Sequence, residues 1–574
     1  MLEACFYGLR LDLAVTAYAL SPLFLFALWK DLPSDTGKHT SRYLYFISVF
    51  FTLVLSGNVA IYHFWRSLLN YRALTYLKDP AEVLASVSVS QAVSIILAFV
   101  FICFLTVWCC KKWIKIKYAA TSGWKTDRFI FMSVWLVLTV TSVRGGVQRL
   151  PVNETHAFFS NDPFLNHTAL NPVWHLAYDV KMAGITRTNP FKKLDELELK
   201  SRLSQLRTQH GETTALLDSQ RPNIVLILLE SFTADVVQSM NGDTSLTPTL
   251  DSLIQNGVLF NQIYSSGFRT DQGVVSVLNG WPATPYHSVM RSTDKCQRLP
   301  SLVGLLEKNG YASSFYYGGS AGFSNMGAYL QLQGFDRIIT QDSFSLEGPR
   351  GRWGYHDETV LDRQLDDFND QSQPFFSVLL TLSNHEPFDV PGPVHIRGDD
   401  EPSRFRNAVH YTDDALKRYF QKASRQDWFK NTLFILVADH AHTLPRKRDI
   451  LFPNGRHIPM VFAGAVVKDS LHGHMIGKLG GHHDLPVTLL NQLKIENSVF
   501  SWSKDLCGTM TQSFAYLPIE DLLVWKTENG WFLYEYQRDS ISVRSLFYDR
   551  KDEKNSLMKA KAFMQAHYEN YLDL

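Results

Sequence analysis

The chain has 574 residues, of which 45% are hydrophobic, and a formal net charge of +1 at pH 7. This length is too great for one ordinary hydrophobic core, so we expect at least two domains. The nearly balanced charge differs from that of a nucleic-acid-binding protein, so nucleic acid is not an expected partner. Most of the apolar residues that form long runs lie in the first quarter of the chain.

This first quarter contains four apolar stretches that are long enough to suggest membrane spans. A helix that crosses lipid needs about 20 mostly apolar residues. The predicted spans are Leu11 to Trp29, Leu44 to Phe64, Ala85 to Cys110 and Phe129 to Ser142. Their length and near absence of charge favour membrane helices over the buried helices of a soluble core.

The connection between the third and fourth stretches predicts the orientation of the chain, because basic residues are retained on the cytoplasmic side. Its basic residues are Lys111, Lys112, Lys115, Lys117, Lys125 and Arg128. The chain after Ser142 is therefore expected outside the cytoplasm. This orientation also places Met1 outside, although no cleavable signal precedes the first span, and a missing first helix would remove that difficulty.

The hydropathy pattern of the sequence changes near Arg221, where short apolar runs begin to alternate with predicted amphipathic helices. This alternation is typical of a mainly parallel sheet that is covered on both faces. We therefore predict a transmembrane helical domain at residues 1–146, an extracytoplasmic connector at 147–221, an α/β domain at 222–510, and a C-terminal subdomain with a helix at 511–574.

Two predicted buried strands end directly in acidic residues. Asn223 to Leu229 is followed by Glu230, and Thr432 to Ala438 is followed by Asp439 and His440. Ligands of open α/β sheets bind where parallel strands end. A single carboxylate after a strand is usually a loop residue or a helix cap, whereas two such strand ends together favour a functional site.

Thr270 lies at a predicted helix start, where the helix dipole and free backbone amides stabilise negative charge. A simple N-cap threonine is the commoner explanation of such a residue taken alone. With the three strand-end residues, however, it completes a set of hard oxygens and one imidazole that suits Zn²⁺ or Mn²⁺. Such an ion would activate the threonine hydroxyl as a nucleophile and neutralise charge on a phosphoryl group.

These motifs resemble the lipoteichoic acid synthase-type and phosphoethanolamine transferase-type branch of the alkaline phosphatase/sulfatase superfamily. The resemblance rests on the helical membrane part, the strand with its glutamate from Asn223 to Phe232, Arg269-Thr-Asp-Gln-Gly273, Ser383-Asn-His385-Glu-Pro-Phe388 and Ala438-Asp-His440. It implies one divalent metal ion, Mn²⁺ or Zn²⁺, whose ligands are Glu230, Thr270, Asp439 and His440. It also implies that Thr270 becomes phosphorylated and that His385 contacts the phosphoryl group, either orienting it or protonating the leaving alkoxide.

The sequence departs from related families at two places. True sulfatases would have a formylglycine-forming cysteine or serine ten residues before Gly280, where this chain has Thr270, and an arginine where it has Val274, so sulfate ester hydrolysis is disfavoured. The lipoteichoic acid synthases hold glycerol phosphate with a tryptophan and an arginine, but the corresponding segment from Gly318 to Met326 has no basic residue. The candidate headgroup-binding residues are instead Phe323, Asn325 and Trp353.

The resemblance implies a phosphotransferase of the bacterial cytoplasmic (inner) membrane whose catalytic domain is periplasmic. It would transfer phosphoglycerol or phosphoethanolamine from a phospholipid donor to a cell-envelope glycan or lipid acceptor. The alternatives are a membrane-bound phosphodiesterase, phosphatase or sulfatase-like hydrolase, and an inactive binding protein on the same fold. Relatives usually have five spans, and because Phe6 to Asp12 resembles the start of their second span, Met1 is expected to be a truncated or misassigned start.

Overall fold

The computed structural model forms two compact units, Met1–Arg187 and Thr188–Leu574. The residues that the structure describes are 2–27, 36–65, 68–70, 73–74, 89–113, 125–148, 150–160, 162–183, 189–206, 211–344, 348–368, 373–545 and 550–574. The finer division into four regions stays a prediction.

The first unit is helical in its described parts. Its helices are α1 (Leu2–Ala27), α2 (Thr36–Trp65), α3 (Val89–Trp113), α4 (Lys125–Arg144), α5 (Pro163–Ala169) and α6 (Pro172–Ala183). The four long helices overlap the four predicted spans. Helix α1 packs against α4, and helix α2 packs against α3.

The described residues contain one helix that is long and apolar enough to cross a membrane, Gly37–Tyr62 within α2. A shorter apolar helix, Met132–Arg144, lies within α4. Helix α1 carries Glu3, Arg10 and Asp12 along its first half, which explains its weaker membrane signal. Parts of the predicted first and third spans, residues 28–29 and 85–88, lie outside the described residues, so the multi-pass arrangement stays a prediction.

The second unit is built on an eight-stranded sheet. Its helices are α7 (Glu196–Ser204), α8 (Pro248–Gln255), α9 (Thr270–Asn279), α10 (Thr293–Cys296), α11 (Leu302–Lys308), α12 (Met326–Gln333), α13 (Asp357–Phe368), α14 (Glu401–Ala423), α15 (Leu485–Gln492) and α16 (Arg550–Asp573). Its strands are β1 (Asn223–Leu229), β2 (Val258–Phe260), β3 (Ile263–Tyr264), β4 (Ala312–Tyr317), β5 (Arg337–Ile339), β6 (Phe375–Leu380), β7 (Thr432–Ala438), β8 (His457–Ile458), β9 (Met460–Ala463), β10 (His474–Ile476), β11 (Gly480–Gly481), β12 (Phe514–Ile519), β13 (Leu522–Thr527), β14 (Gly530–Glu535) and β15 (Ser540–Arg544).

The order of the main sheet is β10-β2-β9-β7-β1-β6-β4-β5. Strand β1 lies between β7 and β6 and pairs with both in parallel, while β9 runs antiparallel to β7. Every residue of β1, β6 and β7 is buried, which explains their continuous apolar sequences. Because these three strands are parallel neighbours, the segments that follow them meet at one edge of the sheet.

A separate sheet of four antiparallel strands, β12 to β15, follows the main sheet in the chain. Its strands alternate between buried and more exposed positions only in part, and β15 is the most exposed of them. The final helix α16 packs against β13. The predicted C-terminal subdomain therefore contains a sheet as well as the expected helix.

Candidate active site

Glu230 occupies the position immediately after β1, and its side chain is 3% exposed. The chain turns sharply there, since Ser231 has a φ of 59°. This turn lets the hydroxyl of Ser231 donate to Glu230 Oε1 at 2.8 Å, while the backbone N–H of Glu230 donates to Thr381 Oγ1 at 2.8 Å. The backbone of Glu230 is thus fixed by the segment after β6, and its carboxylate is fixed by the neighbouring Ser231.

Asp439 and His440 follow β7, the parallel neighbour of β1. Asp439 Oδ1 accepts the backbone N–H groups of Ser231 at 2.9 Å and of His440 at 2.7 Å, whereas the buried Oδ2 has no hydrogen-bond partner among the described residues. His440 Nδ1 lies 3.0 Å from the carbonyl oxygen of Ala441. Its Nε2 therefore faces Glu230 Oε1 at 3.5 Å and Asp439 Oδ2 at 3.6 Å.

Thr270 is the first residue of α9 and joins this group. Its hydroxyl donates to Glu230 Oε2 at 3.1 Å, and the side chain is 6% exposed. The first turn of α9 approaches the end of β7 so closely that a Cβ at Gly273 would collide with the carbonyl oxygen of Asp439. Glycine at this position therefore allows the helix N-terminus to lie against the carboxylates.

These groups fit a divalent cation. One ligand atom each from Glu230, Asp439 and His440 lies within 4.8 Å of the others, and all three residues are buried. Two carboxylates and an imidazole suit Zn²⁺ or Mn²⁺, and the unpartnered Asp439 Oδ2 is a buried oxygen that such an ion would satisfy.

The electrostatics of the cluster reflect two buried acids and one histidine at short range. Burial alone would raise the pKa of Glu230, but hydrogen bonding and attraction to His440 outweigh it and lower that pKa. Burial, reinforced by the charge of Glu230, raises the pKa of Asp439. Burial opposes protonation of His440, yet the adjacent acids raise its pKa. A cation would favour both ionised carboxylates at once.

His385 lies in the segment that follows β6. The preceding residue, Asn384, donates through Nδ2 to the backbone oxygen of Glu230 at 3.2 Å, which ties this segment to the cluster. His385 Nδ1 lies 3.1 Å from the carbonyl oxygen of Glu386. If Nδ1 donates to that oxygen, Nε2 is left as the group available for proton transfer.

A cleft of about 380 Å³ opens over these residues. It is lined by Glu230, Ser231, Phe268, Arg269, Thr270, Asp271, Arg291, Phe323, Ser324, Asn384, His385, Glu386, His440, Ala441, His442, Thr443 and Ile450. The structure thus brings together Glu230, Thr270, His385 and His440 in one cleft, with Asp439 buried beside it. The cleft combines the Thr270 hydroxyl with a charged, partly apolar wall.

The three candidate headgroup residues occupy different positions. Phe323 lines the cleft. Trp353 lines a smaller neighbouring cavity, and its ring lies 4.2 Å from that of His385 and 6.3 Å from that of Phe323, measured between centroids. Asn325 is 4% exposed and is not among the residues that line the cleft.

Arg291 is a cleft residue that the sequence reasoning missed. Its Nε donates to Asp271 Oδ2 at 2.8 Å, and its Nη2 donates to Ser324 Oγ at 3.4 Å. It thereby brings a positive charge to the segment from Gly318 to Met326, which has none of its own. The lack of a basic residue in this segment is the sequence feature that indicates an arginine or lysine supplied from elsewhere in the chain.

Parts of this chain are similar to known proteins. Residues 222–495 match the family model described as Sulfatase. Lipoteichoic acid synthase-like YvgJ of Bacillus subtilis (strain 168) is 24% identical over 228 residues, which cover 38% of this chain and 36% of that protein. Phosphoglycerol transferase I of Escherichia coli (strain 55989 / EAEC) is 23% identical over 340 residues, which cover 56% of this chain and 43% of that protein. The chain spans less than half the length of these curated relatives.

Two solved structures share the fold. A protein in the alkaline phosphatase superfamily from Vibrio parahaemolyticus superposes with a TM-score of 0.57 at 25% identity, covering 66% of this chain and 98% of that one. The lipoteichoic acid synthase LtaP from Listeria monocytogenes superposes with a TM-score of 0.54 at 20% identity, covering 66% of this chain and 99% of that one. The resemblance and the α/β fold expected from the sequence are confirmed.

Proposed function

We propose that this chain is a metal-dependent transferase that moves a phospholipid headgroup, phosphoglycerol or phosphoethanolamine, through a phosphothreonine at Thr270. The match of residues 222–495 to the Sulfatase family model supports this class of chemistry. The observation that carries the proposal is the hydrogen bond of 3.1 Å between the Thr270 hydroxyl and Glu230, inside a cluster of potential metal ligands. The names of the relatives, lipoteichoic acid synthase and phosphoglycerol transferase, support the class of reaction.

Glu230, Thr270, Asp439 and His440 would hold one divalent ion, Mn²⁺ or Zn²⁺. When bound, such an ion lowers the pKa of a coordinated hydroxyl and neutralises phosphoryl charge. The N-terminal position of Thr270 in α9 adds backbone amides and the positive end of the helix dipole.

The first half-reaction exchanges one phosphorus–oxygen bond for another. Thr270 Oγ1, ionised to the alkoxide, bonds to phosphorus as the bond to the diacylglycerol oxygen breaks, and protonated His385 gives its proton to that oxygen so that diacylglycerol leaves. In the second half-reaction, the now neutral His385 takes the proton of an acceptor hydroxyl, whose oxygen bonds to phosphorus and displaces Thr270 as the alkoxide, so both residues return to their starting states. The acceptor is an envelope glycan or lipid, and anchoring to the membrane raises the effective concentration of the lipid donor.

The test is product analysis with the whole protein. The protein is incubated with vesicles of phosphatidylglycerol or phosphatidylethanolamine and Mn²⁺ or Zn²⁺, with and without candidate acceptors, and diacylglycerol and headgroup products are measured. We expect diacylglycerol release that Thr270→Ala abolishes and headgroup transfer to an acceptor. Free headgroup phosphate with every acceptor would favour the hydrolase instead, and no release from either lipid would contradict both.

A further inference from the structure

We propose that Arg291 is the charge selector of the headgroup site, a specificity-determining residue that disfavours donor lipids with a cationic headgroup. The inference rests on the function proposed above and deepens it. It predicts that phosphatidylglycerol is a better donor than phosphatidylethanolamine, because only the latter carries an ammonium group.

The position of Arg291 is fixed from two sides of the cleft. The residue ends a short 3₁₀ turn, Val289–Arg291. Its bond to Asp271 ties the guanidinium to the first turn of α9, directly after Thr270, and its bond to Ser324 ties it to the opposite segment. A headgroup bonded to a phosphorus atom at Thr270 would therefore share the cleft with this guanidinium.

On the Thr270 side of the cleft, the more exposed charged groups are arginines, which would repel an ammonium group. Arg291 is 36% exposed in its side chain, whereas its carboxylate partner Asp271 is only 2% exposed. Arg269 also lines the cleft, and no ion pair to it occurs within the described residues. The remaining acid outside the ligand cluster, Glu386, is 63% exposed and lies 3.5 Å from His442 Nε2. An incoming ammonium would thus meet guanidinium groups on the Thr270 side.

The pKa of His287 responds to the charges of the same two arginines. Its pKa is lowered by burial first, and then by the charges of Arg291 and Arg269. The two arginines together therefore disfavour a further positive charge nearby. Asp271 offsets part of this effect, so we expect selectivity of moderate size and not complete exclusion.

The test measures kcat/KM for diacylglycerol release from vesicles of either lipid, using the whole protein. We expect wild type to prefer phosphatidylglycerol by about tenfold or more and Arg291→Met to lose most of that preference, because like-charge contacts suppress wrong partners. Arg291→Lys should keep the preference because it keeps the charge. Arg363→Met is the matched control: Arg363 is also 36% exposed and donates through Nε to Asp367 at 3.1 Å, but it does not line the cleft.

Each outcome decides the inference. A donor ratio in Arg291→Met equal to that of wild type, with activity retained, would overturn the role of Arg291 and leave the proposed function intact. A preference of wild type for phosphatidylethanolamine would also overturn the role of Arg291 and would indicate that Glu386 attracts the ammonium group. Release from neither lipid would overturn the proposed function together with the inference. If Arg291→Met unfolds at a lower temperature than wild type, Arg291→Gln, which keeps a donor for Asp271, supplies the same comparison.

Discussion

The two ends of the cleft are built differently. At the inner end, Glu230, Thr270, Asp439 and His440 are between 0% and 9% exposed and are fixed by strand ends and backbone hydrogen bonds. At the outer end, Arg291 and Glu386 are more exposed and come from turns and loops. The proposed metal ligands and nucleophile thus lie on rigid elements, whereas the residues proposed to select the substrate lie on segments that can change without loss of the fold.

His385 also lines the cleft, and its replacement should have the largest effect of the changes considered below. We expect His385→Asn to lower kcat by about 10²–10⁴-fold, the usual contribution of a general acid or base. The measurement is the rate of diacylglycerol release from vesicles. A substrate with a nitrophenol leaving group, which needs no proton, should recover most of the loss.

His410 provides the control for His385. Its Nδ1 also lies 3.1 Å from a backbone oxygen, that of Leu246, but it does not line the cleft. His410→Asn should leave the reaction rates with the natural lipid and with the nitrophenol substrate unchanged. Equal loss with the natural lipid and the nitrophenol substrate in His385→Asn would contradict proton transfer by this residue.

A pair of buried aspartates tests whether the inner end is a metal site. Asp439 and Asp413 each accept two backbone N–H groups, and both are 0% exposed, but only Asp439 has an unpartnered oxygen beside other potential ligands. We expect Asp439→Asn to weaken Mn²⁺ or Zn²⁺ binding by at least about 10–100-fold, since even groups outside the ligand set contribute that much.

Asp413→Asn should instead lower the free energy of unfolding, because this carboxylate caps α8, and should leave metal affinity unchanged. Metal binding is measured by titration calorimetry and stability by thermal unfolding. Equal metal affinity in wild type and Asp439→Asn would remove Asp439 from the ligand set.

Much of the inner end could be predicted from the sequence because its signals are local. An apolar run ending in acid identifies β1 with Glu230 and β7 with Asp439, and both strands have the predicted bounds. Arg291 could not be predicted in this way, since its position depends on contacts with Asp271 and Ser324 that are distant in the chain. The sheet of β12 to β15 was missed because its strands are short and only partly alternating.

The packing of α16 should be sensitive to acid through its residue His567, which is the smallest effect we predict. His567 is fully buried among aromatic rings, including Trp281 and Trp502, and neither ring nitrogen has a partner within the described residues. Burial lowers its pKa to about 3. Because the folded pKa lies below the unfolded one, the unfolded chain takes up a proton at a higher pH than the folded chain does, and stability is lost as pH falls below about 6.5.

Between pH 7.5 and pH 5 we expect His567 to remove about 2 kcal/mol from the free energy of unfolding, because the unfolded chain takes up a proton on this histidine. His567→Phe keeps the aromatic shape and should lose less stability over that interval than wild type. The check is denaturant unfolding at several pH values. A pH dependence identical in wild type and His567→Phe would show that His567 is not protonated on unfolding.

In the proposed reaction, Thr270 carries the headgroup between donor and acceptor. The direct measurement is mass spectrometry of the whole protein and of the peptide containing Thr270, after incubation with phosphatidylglycerol or phosphatidylethanolamine and a divalent metal ion but no acceptor. We expect a headgroup phosphate adduct on Thr270 that disappears when an acceptor is added and is absent from Thr270→Ala. Continued diacylglycerol release by Thr270→Ala, with no adduct in wild type, would contradict it and favour direct hydrolysis.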